Sequence, residues 1–230
     1  MPTILFASSK GGCSKSTSAV VLGSQLATQG ASVTIIDADP NHPVESWAKR
    51  TGKPENMTVL SNVSETSIID DIEAAAERTA FVIVDVEGTA SMTVAYAISR
   101  SDLVIIPVQG SQLDAAEAAK AIKLIRQQEK AFGRRIPYAV LFTRTSAAIK
   151  PRTLQHIRTE MAQAGVPVLE TQMHEREAFR AIFSFGGTVE SLRPDQVSGL
   201  DGAIRNARAF AAEVVGILKR PQAVGQGRAA

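Results

Sequence analysis

Several classes of protein are excluded by what this 230-residue sequence lacks. It has one cysteine, Cys13, so it can form no internal disulfide bond and hold no multi-cysteine metal or iron–sulfur cluster. Its three histidines are scattered along the chain and match no metal-ligand spacing. No G-x-S-x-G segment is present, which argues against a hydrolase with a nucleophile elbow.

Membrane insertion and secretion are also not expected. No apolar stretch approaches the length needed to cross a bilayer. Met1 lies almost directly against the first apolar run, which leaves no room for a signal or transit peptide. With 44% hydrophobic and 21% charged residues, the composition is typical of a folded globular protein. We therefore expect a cytoplasmic location.

The most informative stretch runs from Thr3 to Thr17. An apolar run at residues 4–7 precedes a loop with two glycines and a Lys-Ser pair, and a helical pattern follows. This is the layout of a phosphate-binding P-loop, in which backbone N–H groups and a helix N-terminus point at an anion. Lys15 is predicted to reach the β- and γ-phosphates of a nucleotide, and the Ser16 hydroxyl to ligate Mg²⁺.

The loop departs from the usual pattern G-x-x-x-x-G-K-S/T, because serines stand at both glycine positions. It places a second lysine, Lys10, five residues before Lys15 and directly before two glycines. The K-G-G-x-x-K-S/T spacing resembles the deviant P-loop of the ParA/MinD ATPases. The resemblance implies that Lys10 crosses a dimer interface to touch the partner's nucleotide, and that the cofactors are ATP and Mg²⁺. The residues expected to hold the nucleotide are Gly11, Gly12, Cys13, Ser14, Lys15, Ser16 and Thr17.

Carboxylates follow two further apolar runs. Residues 37–41 read D-A-D-P-N and resemble the family's D-x-D-P-Q segment, which implies that Asp39 orients the attacking water and that Asp37 lies near the water shell of the metal. Asp85 ends the run at residues 81–84 in a Walker B pattern, whose aspartate binds Mg²⁺. Gly88 is expected to bring a backbone N–H to the γ-phosphate. The resemblance also places Thr143 and Arg144 near the adenine base.

Apolar runs alternate with amphipathic helical patterns along the chain, which indicates a mostly parallel twisted sheet with helices on both faces. We predict a single α/β domain of the P-loop NTPase class over residues 1–220 and a disordered tail at residues 221–230. The last predicted strand is residues 166–169. The predicted helices after the P-loop helix are 44–49, 66–78, 112–132, 151–164 and 203–220.

Charge is distributed unevenly along the chain. Residues 1–143 carry 13 Lys and Arg against 15 Asp and Glu, whereas residues 144–230 carry 12 against 8. A basic C-terminal third points weakly to a polyanionic partner. The family resemblance implies a surface that grips DNA phosphates without reading sequence. The candidate residues are Lys150, Arg152, Arg176, Arg180, Arg193, Arg205 and Arg208.

The resemblance implies an ATPase that hydrolyses ATP to ADP and phosphate and partitions plasmid or other DNA. It would dimerise on ATP, bind the nucleoid in that state, and be stimulated by a ParB-like centromere-binding protein. Three alternatives remain open. They are a MinD-like membrane-associated ATPase that uses residues 217–220, an ATPase that positions a conjugation origin or a protein assembly, and a metabolic ligase such as a dethiobiotin-synthetase-like enzyme.

Overall fold

Seven parallel strands form one sheet in the computed structural model, which describes residues 1–88, 91–149 and 151–220. The order across the sheet is β3-β2-β4-β1-β5-β6-β7. The strands are β1 (Thr3–Phe6), β2 (Val33–Ala38), β3 (Met57–Leu60), β4 (Phe81–Val86), β5 (Leu103–Val108), β6 (Tyr138–Thr145) and β7 (Met173–His174). The predicted α/β class is confirmed.

Helices cover both faces of this sheet. They are α1 (Lys15–Thr28), α2 (Pro43–Ala48), α3 (Ile68–Arg78), α4 (Met92–Ser99), α5 (Gln112–Phe132), α6 (Arg152–Gln163), α7 (Glu177–Phe185) and α8 (Leu200–Lys219). One hydrophobic cluster lies under α1, α2, α7 and α8, and a second lies under α3, α4, α5 and α6. Both faces of the central strands are therefore buried.

The central strand shows why these runs are apolar without alternation. Ile4 and Phe6 of β1 belong to the first cluster, whereas Leu5 between them belongs to the second. All three side chains are fully buried. A strand with helices on both sides has no solvent-facing side chains, so its sequence reads as a continuous hydrophobic run.

Two sequence predictions about secondary structure need correction. The strand predicted at residues 166–169 is reduced to a single bridge between Val168 and Val140, and β7 lies further along the chain. Val140 donates to the carbonyl of Pro167 and accepts from the amide of Leu169, and pairing ends there because the next two amides, of Glu170 and Thr171, donate to Glu213 of α8 instead. Helix α4 was not predicted, since its eight residues are almost all small or apolar and give no amphipathic period.

The β7 edge of the sheet is covered by α8. Asn206 accepts a hydrogen bond from the amide of His174 at 3.0 Å and donates one to the carbonyl of Gln172 at 2.7 Å. One side chain thus replaces the neighbouring strand that this segment lacks. Further along α8, Ile217 and Leu218 are half-buried against the first cluster. In the described part of the chain, no helix has the length and apolar character of a bilayer-spanning segment.

The sheet topology fixes where a ligand can bind. Strand β1 lies between β4 and β5. The helix that follows β1 packs on one face of the sheet, whereas the helices that follow β4 and β5 pack on the other. In open parallel sheets such a switch point forms a crevice at the carboxyl ends of the strands. The loop between β1 and α1 and the acidic ends of β2 and β4 meet at this edge. The predicted tail at residues 221–230 lies outside the described residues.

Candidate functional site

The loop between β1 and α1 has the backbone of a phosphate cradle. Gly12 and Ser14 both adopt the left-handed conformation, with φ values of +76° and +72°, and α1 begins at Lys15. Left-handed residues turn successive N–H groups toward one side of a loop, where they can surround an anion. Lys15 itself is only 6% exposed. A fixed ammonium thus stands at the N-terminus of a 14-residue helix.

Side chains at the carboxyl ends of β5 and β6 hold this loop in place. The Thr143 hydroxyl, at the end of β6, lies 3.0 Å from the carbonyl oxygen of Cys13 and 3.2 Å from that of Val108. Gln109 donates to the carbonyl of Gly12 at 3.1 Å. Thr143 is buried, so its hydroxyl is committed to the loop. Its prediction as a residue near the adenine base stays untested, but its contacts are those of a loop support.

The first turns of α5 grip the beginning of the same loop. The ammonium of Lys10 lies 2.8 Å from a carboxylate oxygen of Asp114, and Ser9 donates to Glu117. Burial would raise the pKa of Asp114, but its hydrogen bonds from Lys10 and Ser111 outweigh burial and lower it. The hydrogen bond to Asp114 in turn raises the pKa of Lys10. Both groups are therefore charged at neutral pH.

Two carboxylates lie side by side beneath the loop. Asp37 and Asp85 are register partners at the ends of β2 and β4, and both are fully buried. Among the described residues neither oxygen of Asp85 has a hydrogen-bond partner, and Asp37 has one unpartnered oxygen. Its other oxygen accepts from the amide of Glu45 at 2.8 Å.

Burial raises the pKa of Asp85 to about 7, and the neighbouring Asp37 charge adds to this effect while Ser16 and Lys15 oppose it. Burial likewise raises the pKa of Asp37. Buried unpaired carboxylates are costly unless a cation compensates them. Oxygen donors from Asp85 and the Ser16 hydroxyl suit Mg²⁺, which usually takes one or two protein ligands together with phosphate oxygens. The residues present therefore fit a magnesium ion bound with a nucleotide.

The predicted motifs line one cleft of about 410 Å³. Its walls are Gly11, Gly12, Ser14, Lys15, Ser16, Thr17, Asp39, Pro40, Asn41, Glu87, Gly88 and Arg144. Asp39 is fixed at its rim by hydrogen bonds from the backbone and side chain of Asn41. A Cβ atom on Gly88 would lie 3.2 Å from the amide nitrogen of Gly11, so only glycine fits comfortably there.

A second, smaller cleft continues from the first at Ser14, Thr17 and Arg144. Arg144 has a left-handed backbone, with φ 51°. Arg176, which sequence analysis assigned to DNA, also lines this cleft. Its guanidinium packs against the backbone of Gly202 on α8, and its buried Nε has no hydrogen-bond partner in the described part of the chain. Arg176 therefore lies between α8 and the cleft beside the P-loop.

Most of the other arginines predicted to bind DNA already have partners. Arg180 pairs with Glu175 at 2.8 Å, Arg193 with Asp195 at 3.0 Å and Arg208 with Glu190 at 3.6 Å. Arg152 and Arg205 are exposed and have no ion pair within the described ranges. Lys150 lies outside the described residues. These assignments stay predictions.

Sequence reasoning missed the residues that support the P-loop from β5 and α5. Gln109, Asp114 and Glu117 are distant in sequence and belong to no motif, so nothing in the chain's local pattern singles them out. The structure brings them to residues 9–12 because β5 pairs directly with β1. In the described part of the chain no group of three or more His, Cys, Asp or Glu side chains forms a ready-made metal cage.

Comparisons with known proteins identify the family of this chain. A profile of the family described as "VirC1 protein" matches residues 1–212. "Protein ParA" of Rhizobium radiobacter is 44% identical over 211 residues, which cover 92% of this chain and 95% of that protein. "Protein virC1" of Rhizobium rhizogenes is 30% identical over 227 residues, which cover 95% and 96%.

The fold has close counterparts among solved structures. The ATP complex of a Cyanothece McdA variant matches with a TM-score of 0.74 and covers 94% of this chain and 96% of its own. Its sequence identity to this chain is 15%, so the match is evidence for the fold alone.

Proposed function

The chain belongs to the VirC1 family of ParA/MinD-type P-loop ATPases, and we therefore propose that it is a Mg²⁺-dependent ATPase that dimerises on ATP and partitions DNA. The observation that carries the proposal is the single cleft that joins the P-loop, Asp39 and Gly88. The Asp85 carboxylate beneath the loop, which has no hydrogen-bond partner among the described residues, supports it. Three motifs separated in sequence converge on one space.

Each part of the cleft has a role in this function. Lys15 and the loop amides bind the β- and γ-phosphates, because a buried ammonium and a helix N-terminus both favour anionic groups. Asp85 and Ser16 hold Mg²⁺, with Asp37 behind them. The ion, when bound, neutralises phosphate charge. Asp39, held by Asn41, orients the water that attacks the γ-phosphate.

The amide of Gly88 senses the γ-phosphate, and its close packing on the P-loop supports that role. Because Gly88 has no Cβ atom, its backbone can lie close to the amide of Gly11. Loss of the phosphate would then release the segment that follows β4. Order–disorder changes of this kind are common in nucleotide switches.

Dimerisation would use Lys10, which is 44% exposed at the edge of the cleft. In the dimer its ammonium would leave Asp114 and reach the nucleotide of the partner subunit. Two subunits that close on ATP would present two sets of phosphate contacts to DNA. Affinity and its salt dependence would rise together. We place the ATP-bound protein on the nucleoid and assign its stimulation to a ParB-like partner.

ATP hydrolysis by single-site variants tests the enzymatic part of the proposal. Lys15→Ala should lose ATP binding, because it removes the buried cation of the phosphate site. Asp39→Ala should bind ATP normally, hydrolyse it at least about a hundredfold more slowly and accumulate as a dimer. Phosphate release, fluorescent-nucleotide titration and size-exclusion chromatography give the three readouts. Wild-type turnover by Asp39→Ala would refute the assignment of the water-orienting residue.

A further inference from the structure

We propose that an exposed cationic stripe on α5 binds the phosphate backbone of duplex DNA. The α5 stripe consists of Lys123, Arg126 and Lys130. The inference rests on the proposed function and deepens it, since it locates the DNA contact on a helix that lies outside the basic C-terminal third of the chain.

Helical spacing puts the three cations on one face of α5. Arg126 is three residues after Lys123, and Lys130 is four residues after Arg126, so all three project from neighbouring turns. All three side chains are exposed. At 1.5 Å per residue the stripe is about 10 Å long. Duplex DNA carries a charge every ~1.7 Å of its axis, so several phosphates lie within reach of this length.

No carboxylate of the described residues forms an ion pair with the stripe. The three acidic residues of α5 all have other partners. Asp114 binds Lys10, Glu117 binds Ser9 and Lys120, and Glu129 accepts a hydrogen bond from the amide of Ile136 at 2.9 Å. Helix α4, which packs beside α5, has no acidic residue. Glu129 lies three residues after Arg126 but forms no ion pair with it among the described residues, so the face carries a net positive charge.

Repulsion between neighbouring cations of the stripe opposes this arrangement, because like charges four residues apart, such as Arg126 and Lys130, destabilise a helix. The helix dipole offsets part of this cost only at Lys130, which lies in the last turn of α5. A surface on which acids are directed inward and cations outward is complementary to a polyanion. The C-terminal arginines differ in this respect, because three of them are neutralised by Glu175, Asp195 and Glu190.

The same helix also contacts the nucleotide site. Asp114 and Glu117, in the first two turns of α5, hold residues Lys10 and Ser9 of the P-loop. Lys123 lies nine residues beyond Asp114, which is about 13.5 Å along the same helix. A change of contacts at Lys10 when ATP binds would therefore reach the stripe without passing through the sheet. This gives DNA binding a direct physical link to the nucleotide state.

The test compares two triple variants with the same change in charge. The stripe variant carries Lys123→Gln, Arg126→Gln and Lys130→Gln, since glutamine is a good helix former and keeps the aliphatic part of the side chain. The control variant carries Arg50→Gln, Arg78→Gln and Lys219→Gln, three exposed cations outside α5. Thermal unfolding and fluorescent-ATP titration should give wild-type values for both.

Binding to random-sequence duplex DNA is then measured across a salt series with a non-hydrolysable ATP analogue and Mg²⁺. The stripe variant should lose about 0.9 from the log–log salt slope for each phosphate contact, or about 2.7 per subunit. The control should keep the wild-type slope. A normal slope in the stripe variant, or a loss confined to the control, overturns the α5 assignment alone.

Two further outcomes distinguish failure of the α5 assignment from failure of the proposed function. Wild-type protein that hydrolyses ATP but binds no DNA would overturn the DNA part of the proposed function as well. Sedimentation with vesicles of phosphatidylcholine and phosphatidylserine tests the other polyanionic surface. Vesicle binding that the stripe variant loses, with DNA binding unchanged, would assign the stripe to a membrane and overturn the proposal.

Discussion

Lys10 and Asp114 form an ion pair within one chain, with the lysine ammonium 2.8 Å from the carboxylate. The lysine is 44% exposed, whereas the aspartate side chain is 3% exposed. A lysine expected to serve a second subunit is thus held by its own chain. The internal contact and the proposed contact between subunits would compete for one ammonium group.

Asp114→Asn should therefore favour the ATP dimer. Loss of the internal partner frees Lys10, and because the pair is partly exposed the dimer dissociation constant should fall by up to about fivefold. Lys10→Ala should bind ATP but remain a monomer. Size-exclusion chromatography with a non-hydrolysable analogue, over a concentration series, measures both. Glu117→Gln is the matched control, since it leaves the pair intact; a normal dimer from Lys10→Ala would contradict the proposal.

Asp85→Asn should stabilise the protein when Mg²⁺ and nucleotide are absent. The folded-state pKa of Asp85 is raised from 3.8 to about 7, so the folded state holds a proton that the unfolded state releases. Wild-type stability should fall as pH rises between those two values, and the variant should keep only the part of this fall that the raised pKa of Asp37 produces. At pH 8 we expect the melting temperature of the variant to exceed that of the wild type by at least about 2–4 °C. A chelator-treated pH series measures it, and equal pH profiles would refute it.

Thr143→Val should weaken ATP binding without unfolding the chain. The change keeps the shape of the side chain but leaves the carbonyl oxygens of Cys13 and Val108 without their donor. A lost buried hydrogen bond costs about 1–3 kcal/mol, so we expect roughly tenfold weaker binding of a fluorescent ATP analogue. Thr143→Ser retains the hydroxyl and should bind normally. Equal affinity of the valine and serine variants would show that the hydroxyl does not support the loop.

Ser14→Gly should stabilise the chain. Serine at φ 72° is in the left-handed region, where a Cβ atom costs roughly 1 kcal/mol relative to glycine. The melting temperature should rise by about 2–4 °C, and ATP affinity should not fall. Ser61→Gly, in a loop where φ is not positive, is the control and should be neutral or destabilising. A lower melting temperature for Ser14→Gly would mean that the serine hydroxyl matters more than the strain.

The parts of the site that lie on one continuous segment were predictable from the sequence. The run from Lys10 to Thr17 combines strand, turn and helix signals within a few residues, and Asp39 and Asp85 each end an apolar run. Parallel strands bring such ends to one edge, so convergence follows from the fold class. In the structure Asp39 lines the same cleft as Gly11, Gly12 and residues 14–17, and Asp85 lies buried beside Asp37.

The supports of the site could not be predicted in this way. Asp114 and Thr143 meet the P-loop only because of the strand order, and no local pattern encodes their partners. The cationic face of α5 was hidden for a different reason. The net charge of residues 1–143 is negative, because the sum counts carboxylates such as Asp114 and Glu117. In the structure these two carboxylates are bound to other groups of the same chain.

Coverage of the β7 edge by Asn206 and Glu213 limits how copies of this protein can assemble. An uncovered strand would offer amides and carbonyls to any extended segment, and sheets could then join through their edges into filaments. With those groups already bonded to α8, a second copy finds no template along this side. Open-ended joining of sheets needs both edges of each sheet, so it is blocked at the β7 side.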